Sequence, residues 1–126
     1  MKTSESQTTT QYAFKGSHVI SEFYGVKKCL LDNPQRLLQA MRAALTSIDT
    51  TIIDETVHRF APEGVTALFL LAESHASLHT YPAQGAAFFD IFTCGSSDPK
   101  KAMRALEQTL QPTFKNCTYI TRGEDQ

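Results

Sequence analysis

The alternation of apolar and polar positions along the chain predicts a short series of strands and helices. Residues 18–24 alternate, with Val19 and Phe23 on one side, which is typical of a strand. Apolar stripes at helical spacing follow Asn33-Pro34 and Asp98-Pro99, and both pairs place a polar N-cap before a proline at the first helical position. Further strands are predicted over residues 51–60, 65–72, 86–93 and 114–121.

The order of these elements indicates the fold class. It is strand, helix, three strands, helix, strand, and neighbouring strands joined by short turns favour antiparallel pairing. We therefore expect an α+β fold, a two-layer α/β sandwich with a mainly antiparallel sheet and two helices on one face. The nearly all-apolar stretch 65–72 is expected to be a strand buried on both faces. The other face of the sheet, with its Phe-rich strands, would be open and suited to an oligomer interface.

Composition narrows the class of protein. The 126 residues are enough for one domain, expected over residues 12–126 after a flexible tail at residues 1–11. A net charge of -1 favours neither nucleic acid nor an anionic membrane as a partner. No apolar run reaches the roughly 18 residues that span a bilayer, and the N-terminus does not resemble a signal peptide. Three widely spaced cysteines are not a disulfide framework, so we expect a reduced, cytoplasmic protein.

Candidate chemistry is concentrated in residues 71–82, where two serines and two histidines follow the apolar strand. If this segment is extended, His75, Ser77 and His79 share one face. Alternation in the next strand puts Cys94 on one side together with Ala86, Phe88, Asp90 and Phe92.

A hydroxyl, an imidazole and a thiol in this arrangement favour covalent chemistry. Taken alone, Ser74 could be an ordinary polar residue at a strand end and Cys94 a small buried hydrophobe. The histidine and cysteine spacing fits no metal signature, so no metal is expected. Residue types alone leave the reaction open.

Two motifs resemble one known family. They are Glu73-Ser74-His75-Ala76-Ser77-Leu78-His79-Thr80-Tyr81-Pro82 and Phe92-Thr93-Cys94-Gly95. The first is similar to the processing motif of the small bacterial and archaeal pyruvoyl-dependent S-adenosylmethionine decarboxylase proenzymes. The resemblance covers about residues 16–121 and includes the second motif in register.

The resemblance implies a proenzyme that cuts itself between Glu73 and Ser74, giving chains 1–73 and 74–126. Ser74 would become a covalent pyruvoyl group that forms a Schiff base with a small-molecule substrate, His79 would be the processing base, and Cys94 the proton donor. The protomers would pair as a homodimer acting in polyamine biosynthesis.

Two departures from the family pattern bear on efficiency and substrate. Thr66 stands where the family has a serine that assists processing; it keeps the hydroxyl on a stiffer side chain. Ala83 replaces a glutamate that holds the ribose of the substrate, which favours as an alternative a decarboxylase of ornithine or arginine. Phe60 matches the aromatic residue that stacks on adenine, or is a core residue. A further alternative is a non-catalytic paralogue that binds and activates a partner.

Overall fold

The computed structural model describes residues 14–123, and these form the expected α+β sandwich, with six strands and three helices. The strands and helices, in chain order, are β1 (Gly16–Tyr24), α1 (Lys28–Leu31), α2 (Pro34–Thr46), β2 (Ile52–Arg59), β3 (Val65–Leu71), β4 (Ser74–Tyr81), β5 (Ala86–Cys94), α3 (Pro99–Leu110) and β6 (Phe114–Arg122). One short 3-10 turn, Pro82–Gln84, joins β4 to β5.

All six strands belong to one sheet in the order β2-β3-β4-β5-β1-β6, and every neighbouring pair is antiparallel. Strand β1 lies between β5 and β6 and pairs with both, so β6 is attached to the sheet through β1. The mainly antiparallel sheet predicted from short turns is confirmed.

Both predicted helix starts are confirmed, and each is capped by its own side chain. The Asn33 side chain accepts a hydrogen bond from the backbone N–H of Arg36 at 3.2 Å. Asp98 accepts one from the N–H of Lys100 at 2.9 Å. A proline follows each cap, where its missing N–H breaks no helical hydrogen bond. The caps therefore fix where α2 and α3 begin.

Helices α2 and α3 pack on one face of the sheet, and the core lies between the two layers. The apolar stripes of both helices meet the alternate positions of the strands that point toward them. The largest fully buried side chains are Phe23, Phe69, Phe89, Leu31, Leu37, Met41, Leu45, Leu71, Leu78, Ile91, Met103 and Leu106. This core holds the strands in register, and so positions everything on the opposite face.

The opposite face of the sheet, called the open face below, carries no helix among the described residues. The expectation that residues 65–72 are buried on both faces is wrong for the single chain, because Leu68 and Leu70 on this face are 48% and 54% exposed. Other exposed apolar side chains on the open face are Ile20, Tyr81, Phe88 and Ile120.

Two elements were not predicted from the sequence. Strand β4 is rich in Ser and His rather than in β-branched residues, and its pairing with β3 and β5 makes it a strand. The one-turn helix α1 is too short to show a helical period. The predicted tail at residues 1–11 lies outside the described residues. Among the helices of residues 14–123, none has the length and hydropathy needed to cross a bilayer.

Candidate active site

Ser74 is the first residue of β4 and follows a tight two-residue turn made by Ala72 and Glu73. Glu73 has a φ of 64°, in the left-handed region that non-glycine residues adopt at a cost of roughly 1–2 kcal/mol. Ser74 is half-buried, and its hydroxyl has no hydrogen-bond partner within residues 14–123. The hydroxyl is thus available beside a strained peptide linkage.

Cys94 is the last residue of β5 and lies at the same end of the sheet as Ser74. The pairing of His75 with Phe92 sets this register, so the start of β4 meets the end of β5. The Cys94 thiol is free and half-buried. Cys117 instead accepts a hydrogen bond from the Ser21 hydroxyl at 3.5 Å, on the helix-facing side of the sheet. Only Cys94 of these two thiols can face a ligand on the open face.

His79 pairs with Thr66 across strands β4 and β3. The Thr66 Oγ1 and His79 Nδ1 are 3.0 Å apart, and His79 makes no other side-chain hydrogen bond within residues 14–123. When His79 Nδ1–H donates to the threonine oxygen, Nε2 keeps its lone pair and can accept a proton. The pair therefore has the arrangement of an oriented general base.

The structure separates these predicted site residues into two groups. Ser74 and Cys94 lie at one end of the sheet, and Thr66 and His79 lie toward the other. Five residues of extended strand separate Ser74 from His79, which is roughly 16 Å at about 3.3 Å per residue. One chain alone does not bring the His79 imidazole within reach of Ser74.

Phe60 and Ala83 lie toward the His79 end of the molecule. Phe60 follows β2, is 47% exposed, and packs edge-on against the His58 ring at 4.6 Å between centroids. The alternative that Phe60 is a core residue is wrong, because its ring is accessible to a ligand. Ala83 is exposed in the 3-10 turn after β4.

A polar cluster at the centre of the open face was missed by sequence reasoning. Asp90 Oδ2 accepts hydrogen bonds from His18 Nε2 at 2.7 Å and from His75 Nε2 at 3.2 Å, and Ser77 donates to its other oxygen. Burial acts to raise the pKa of Asp90, but the hydrogen bonds from Ser77, His18 and His75 together lower it below its ordinary value. The signal in the sequence is an aspartate within the apolar alternation of 86–93.

The protonation of this cluster follows from its contacts. Arg122 lies 3.4 Å from His18 Nδ1 and can only donate, so His18 presents a lone pair at Nδ1 and its proton at Nε2, toward Asp90. One nitrogen each of His18 and His75 and one oxygen of Asp90 lie within 4.8 Å of one another, a spacing compatible with ligands of a metal ion. With the His18 Nε2 proton donated to Asp90, the cluster is arranged as a hydrogen-bonded network.

Comparison with known families gives one match over nearly all of the described chain. Residues 17–123 match the family model described as S-adenosylmethionine decarboxylase. The matched range includes both ends of the sheet, with Ser74, Cys94, Thr66 and His79.

Individual relatives and a solved structure agree with this match. The chain is 40% identical over 110 residues to the S-adenosylmethionine decarboxylase proenzyme of Thermosipho africanus, covering 86% of this chain and 85% of the relative. It is 39% identical over 109 residues to the proenzyme of the same name from Methanococcus aeolicus, covering 86% and 93%. The crystal structure of adenosylmethionine decarboxylase from Aquifex aeolicus superposes with a TM-score of 0.79 at 32% identity, covering 88% of this chain and 92% of that one.

Proposed function

Because the chain belongs to the S-adenosylmethionine decarboxylase family, we propose that it is a self-processing carboxy-lyase that decarboxylates S-adenosylmethionine in polyamine (spermidine) biosynthesis. The observation that carries the proposal is the position of Ser74. Its hydroxyl has no hydrogen-bond partner within the described part of the chain, follows a left-handed Glu73, and lies at the same end of the sheet as the free Cys94 thiol. The tight turn between β3 and β4 holds Glu73 in this conformation, and so places the strain directly beside the bond to Ser74.

Processing begins when the Ser74 Oγ attacks the Glu73 carbonyl carbon and the amide nitrogen is displaced, so that the peptide becomes an ester. A base then removes the α-hydrogen of Ser74, and the Glu73 carboxylate leaves with the ester oxygen. Addition of water and loss of ammonia convert what remains of Ser74 to an N-terminal pyruvoyl group. The chain needs a base at the Ser74 α-carbon for the second step.

His79 of a second protomer can provide that base. In a face-to-face dimer, a two-fold axis that lies between the sheets and crosses the strands at mid-length reverses the strand direction of one copy. The His79 end of each protomer then lies over the Ser74 end of the other, at the roughly 10 Å spacing of packed sheets. The 16 Å separation within one chain therefore supports a homodimer in which Thr66 and His79 act on the partner's Ser74.

The open face is suited to such a dimer. Its apolar side chains stand exposed beside a polar centre, and Leu68, Leu70 and Phe88 are 48%, 54% and 39% exposed. Contiguous apolar patches of this kind mark interaction surfaces in soluble proteins. A sheet packed on this face would bury them and exclude water from the reaction.

In turnover, the chain's own residues bind the substrate and move the proton. A pyruvoyl group at Ser74 would supply an electrophilic carbonyl to join the substrate amine and a sink for the electron pair left by carbon dioxide. Cys94 then donates a proton to the α-carbon, since its thiol lies at the same end of the sheet. The exposed ring of Phe60, at the opposite end, offers a face on which the adenine of the partner's substrate can stack.

Cys94 also bears on where the enzyme works. A proton donor must remain a thiol, and a half-buried free cysteine keeps that state in a reducing compartment. We place the enzyme in the cytoplasm on this basis.

The mass of the purified protein tests the proposal. We expect two fragments divided between Glu73 and Ser74, with the second fragment blocked by a pyruvoyl group. The Ser74→Ala variant should give one intact, folded chain. A single uncut wild-type chain with an ordinary N-terminus would contradict self-processing and favour a non-catalytic paralogue.

The substrate is tested by release of labelled carbon dioxide. Wild-type protein is given S-adenosylmethionine, ornithine and arginine in parallel, and only S-adenosylmethionine should release label. Exclusive turnover of ornithine or arginine by a correctly cut protein would refute the substrate and leave the self-processing intact.

A further inference from the structure

Three residues form a row across the open face at the end of the sheet where Ser74 lies. Gly16 of β1 pairs with Cys94 of β5 on one side and with Arg122 of β6 on the other. Residues paired across neighbouring strands project from the same face, so the thiol and the guanidinium flank the glycine. With strands about 4.8 Å apart, the backbones of Cys94 and Arg122 are roughly 10 Å from each other.

Gly16 makes room for the Phe92 ring, which lies against it between the two strands. A Cβ atom at this position would lie 2.5 Å from a ring carbon of Phe92 and 2.7 Å from the Thr93 carbonyl oxygen, so no side chain fits. Cys94, Arg122 and the Phe92 ring line a cavity of about 270 Å³ here, and Lys15 lines it as well. The cavity therefore has the Cys94 thiol and the Arg122 guanidinium on its walls, together with the Phe92 ring.

The guanidinium of Arg122 is held in place without a charged partner among residues 14–123. It lies 4.8 Å over the Phe92 ring, and its Nη1 is 3.4 Å from His18 Nδ1. No carboxylate of residues 14–123 lies within ion-pair distance of it. A guanidinium has five N–H donors, and only one of them is directed at His18. The others remain able to bind an anion.

We propose that Arg122 binds the α-carboxylate of the substrate, an assignment that rests on the decarboxylase function proposed above. A substrate whose amine is joined at Ser74, and whose α-carbon is protonated by Cys94, carries its carboxylate one bond from that carbon. The cavity beside Cys94 is where this group can meet a cation. A planar guanidinium pairs with a carboxylate through two parallel hydrogen bonds, which a lysine cannot reproduce.

This contact would act on binding rather than on the rate of the chemical step. The carboxylate leaves as carbon dioxide, so the contact is strongest in the bound substrate and is lost in the product. An interaction that is not strengthened in the transition state lowers KM without raising kcat. Arg122 would therefore make the enzyme prefer substrate over product and help the product to leave.

The test compares Arg122→Gln and Arg122→Lys with wild type in three measurements. Mass spectrometry should show normal cutting at Ser74 in every protein. For Arg122→Gln, KM for S-adenosylmethionine should rise about 10- to 100-fold, as expected for lost charge-assisted hydrogen bonds, with kcat unchanged or higher. Inhibition by decarboxylated S-adenosylmethionine should be unchanged, since that compound has no carboxylate. Arg122→Lys should recover part of the lost affinity.

Arg36→Gln is the matched control, because Arg36 is an exposed arginine on helix α2, away from the open face, and its KM should equal that of wild type. Equal KM values in wild type and Arg122→Gln would refute the assignment, as would an equal loss of affinity for substrate and product. A larger rise in KM for Lys15→Met than for Arg122→Gln would refute it too, and would assign the carboxylate to Lys15. Failure of wild-type protein to be cut, or to decarboxylate S-adenosylmethionine, would instead refute the proposed function.

Discussion

The backbone of Glu73 is strained next to the proposed scissile bond. Glutamate has no side-chain geometry that favours a left-handed φ, unlike asparagine, which adopts it several times more often than other non-glycine residues. The φ of 64° is fixed because β3 and β4 pair directly on both sides of the turn. In the proposed processing reaction, conversion of the peptide to an ester would release this constraint, so the strain would favour processing.

Relief of this strain should slow processing. We expect Glu73→Asn to be cut about two- to fivefold more slowly than wild type, because up to about 1 kcal/mol of ground-state strain is removed. Glu73→Gln is the matched control: it removes the same charge but keeps an unbranched side chain with no left-handed preference. The measurement is the time course of the two fragments after cell-free synthesis. Equal slowing of both variants would show that the carboxylate, not the backbone, matters.

At the scale of single elements, α3 illustrates how a cap can be tested. Its N-cap Asp98 accepts from the N–H of Lys100 at 2.9 Å, and its carboxylate is 4.0 Å from the Arg104 guanidinium. Asp98→Ala should lower the free energy of unfolding by about 1 kcal/mol, and Asp98→Asn by only a few tenths. Urea titration with an unchanged m-value checks this. An equal loss in Asp98→Asn would mean that the ion pair, not the cap, provides the stability.

The helices and strands show which parts of the fold the sequence could predict and why it could not predict the others. Both caps carry local signals, Asn33-Pro34 and Asp98-Pro99, and both helices begin where predicted. Strand β4 has no local signal, since its Ser and His residues become a strand only through pairing with β3 and β5. Because β4 was not predicted, the turn at Glu73 was not predicted either. Ser74 was therefore assigned to the end of one strand, whereas it is the first residue of the next.

The sequence motifs named the residues of the candidate site but not their geometry. The motif named Ser74, His79 and Cys94 together, while the extended β4 places His79 roughly 16 Å from Ser74. Spacing in sequence does not specify which residues meet across an interface. The Asp90 cluster and the Cys94–Gly16–Arg122 row escaped for a related reason, because both depend on register between strands that are far apart in the sequence.

At the scale of the whole molecule, each reaction centre of the proposed dimer takes residues from two chains. One chain provides Ser74, Cys94 and Arg122, and the other provides Thr66 and His79. Two identical centres form in the homodimer, related by the two-fold axis. A chain that lacks one of these residues should therefore be rescued by a partner that has it.

Complementation between two inactive variants tests this arrangement. Ser74→Ala has no nucleophile, and His79→Ala lacks the base for elimination, so neither alone should form a pyruvoyl group. In a mixed dimer, one centre combines Ser74 of the His79→Ala chain with His79 of the Ser74→Ala chain, and only that centre is intact. Co-expression with different affinity tags should give pyruvoyl-bearing fragments from the His79→Ala chain alone. In a random mixture of equal amounts, half of those chains sit in mixed dimers, so about half should be converted. If His79 acted within its own chain, both centres of the mixed dimer would be defective and no pyruvoyl fragment would form.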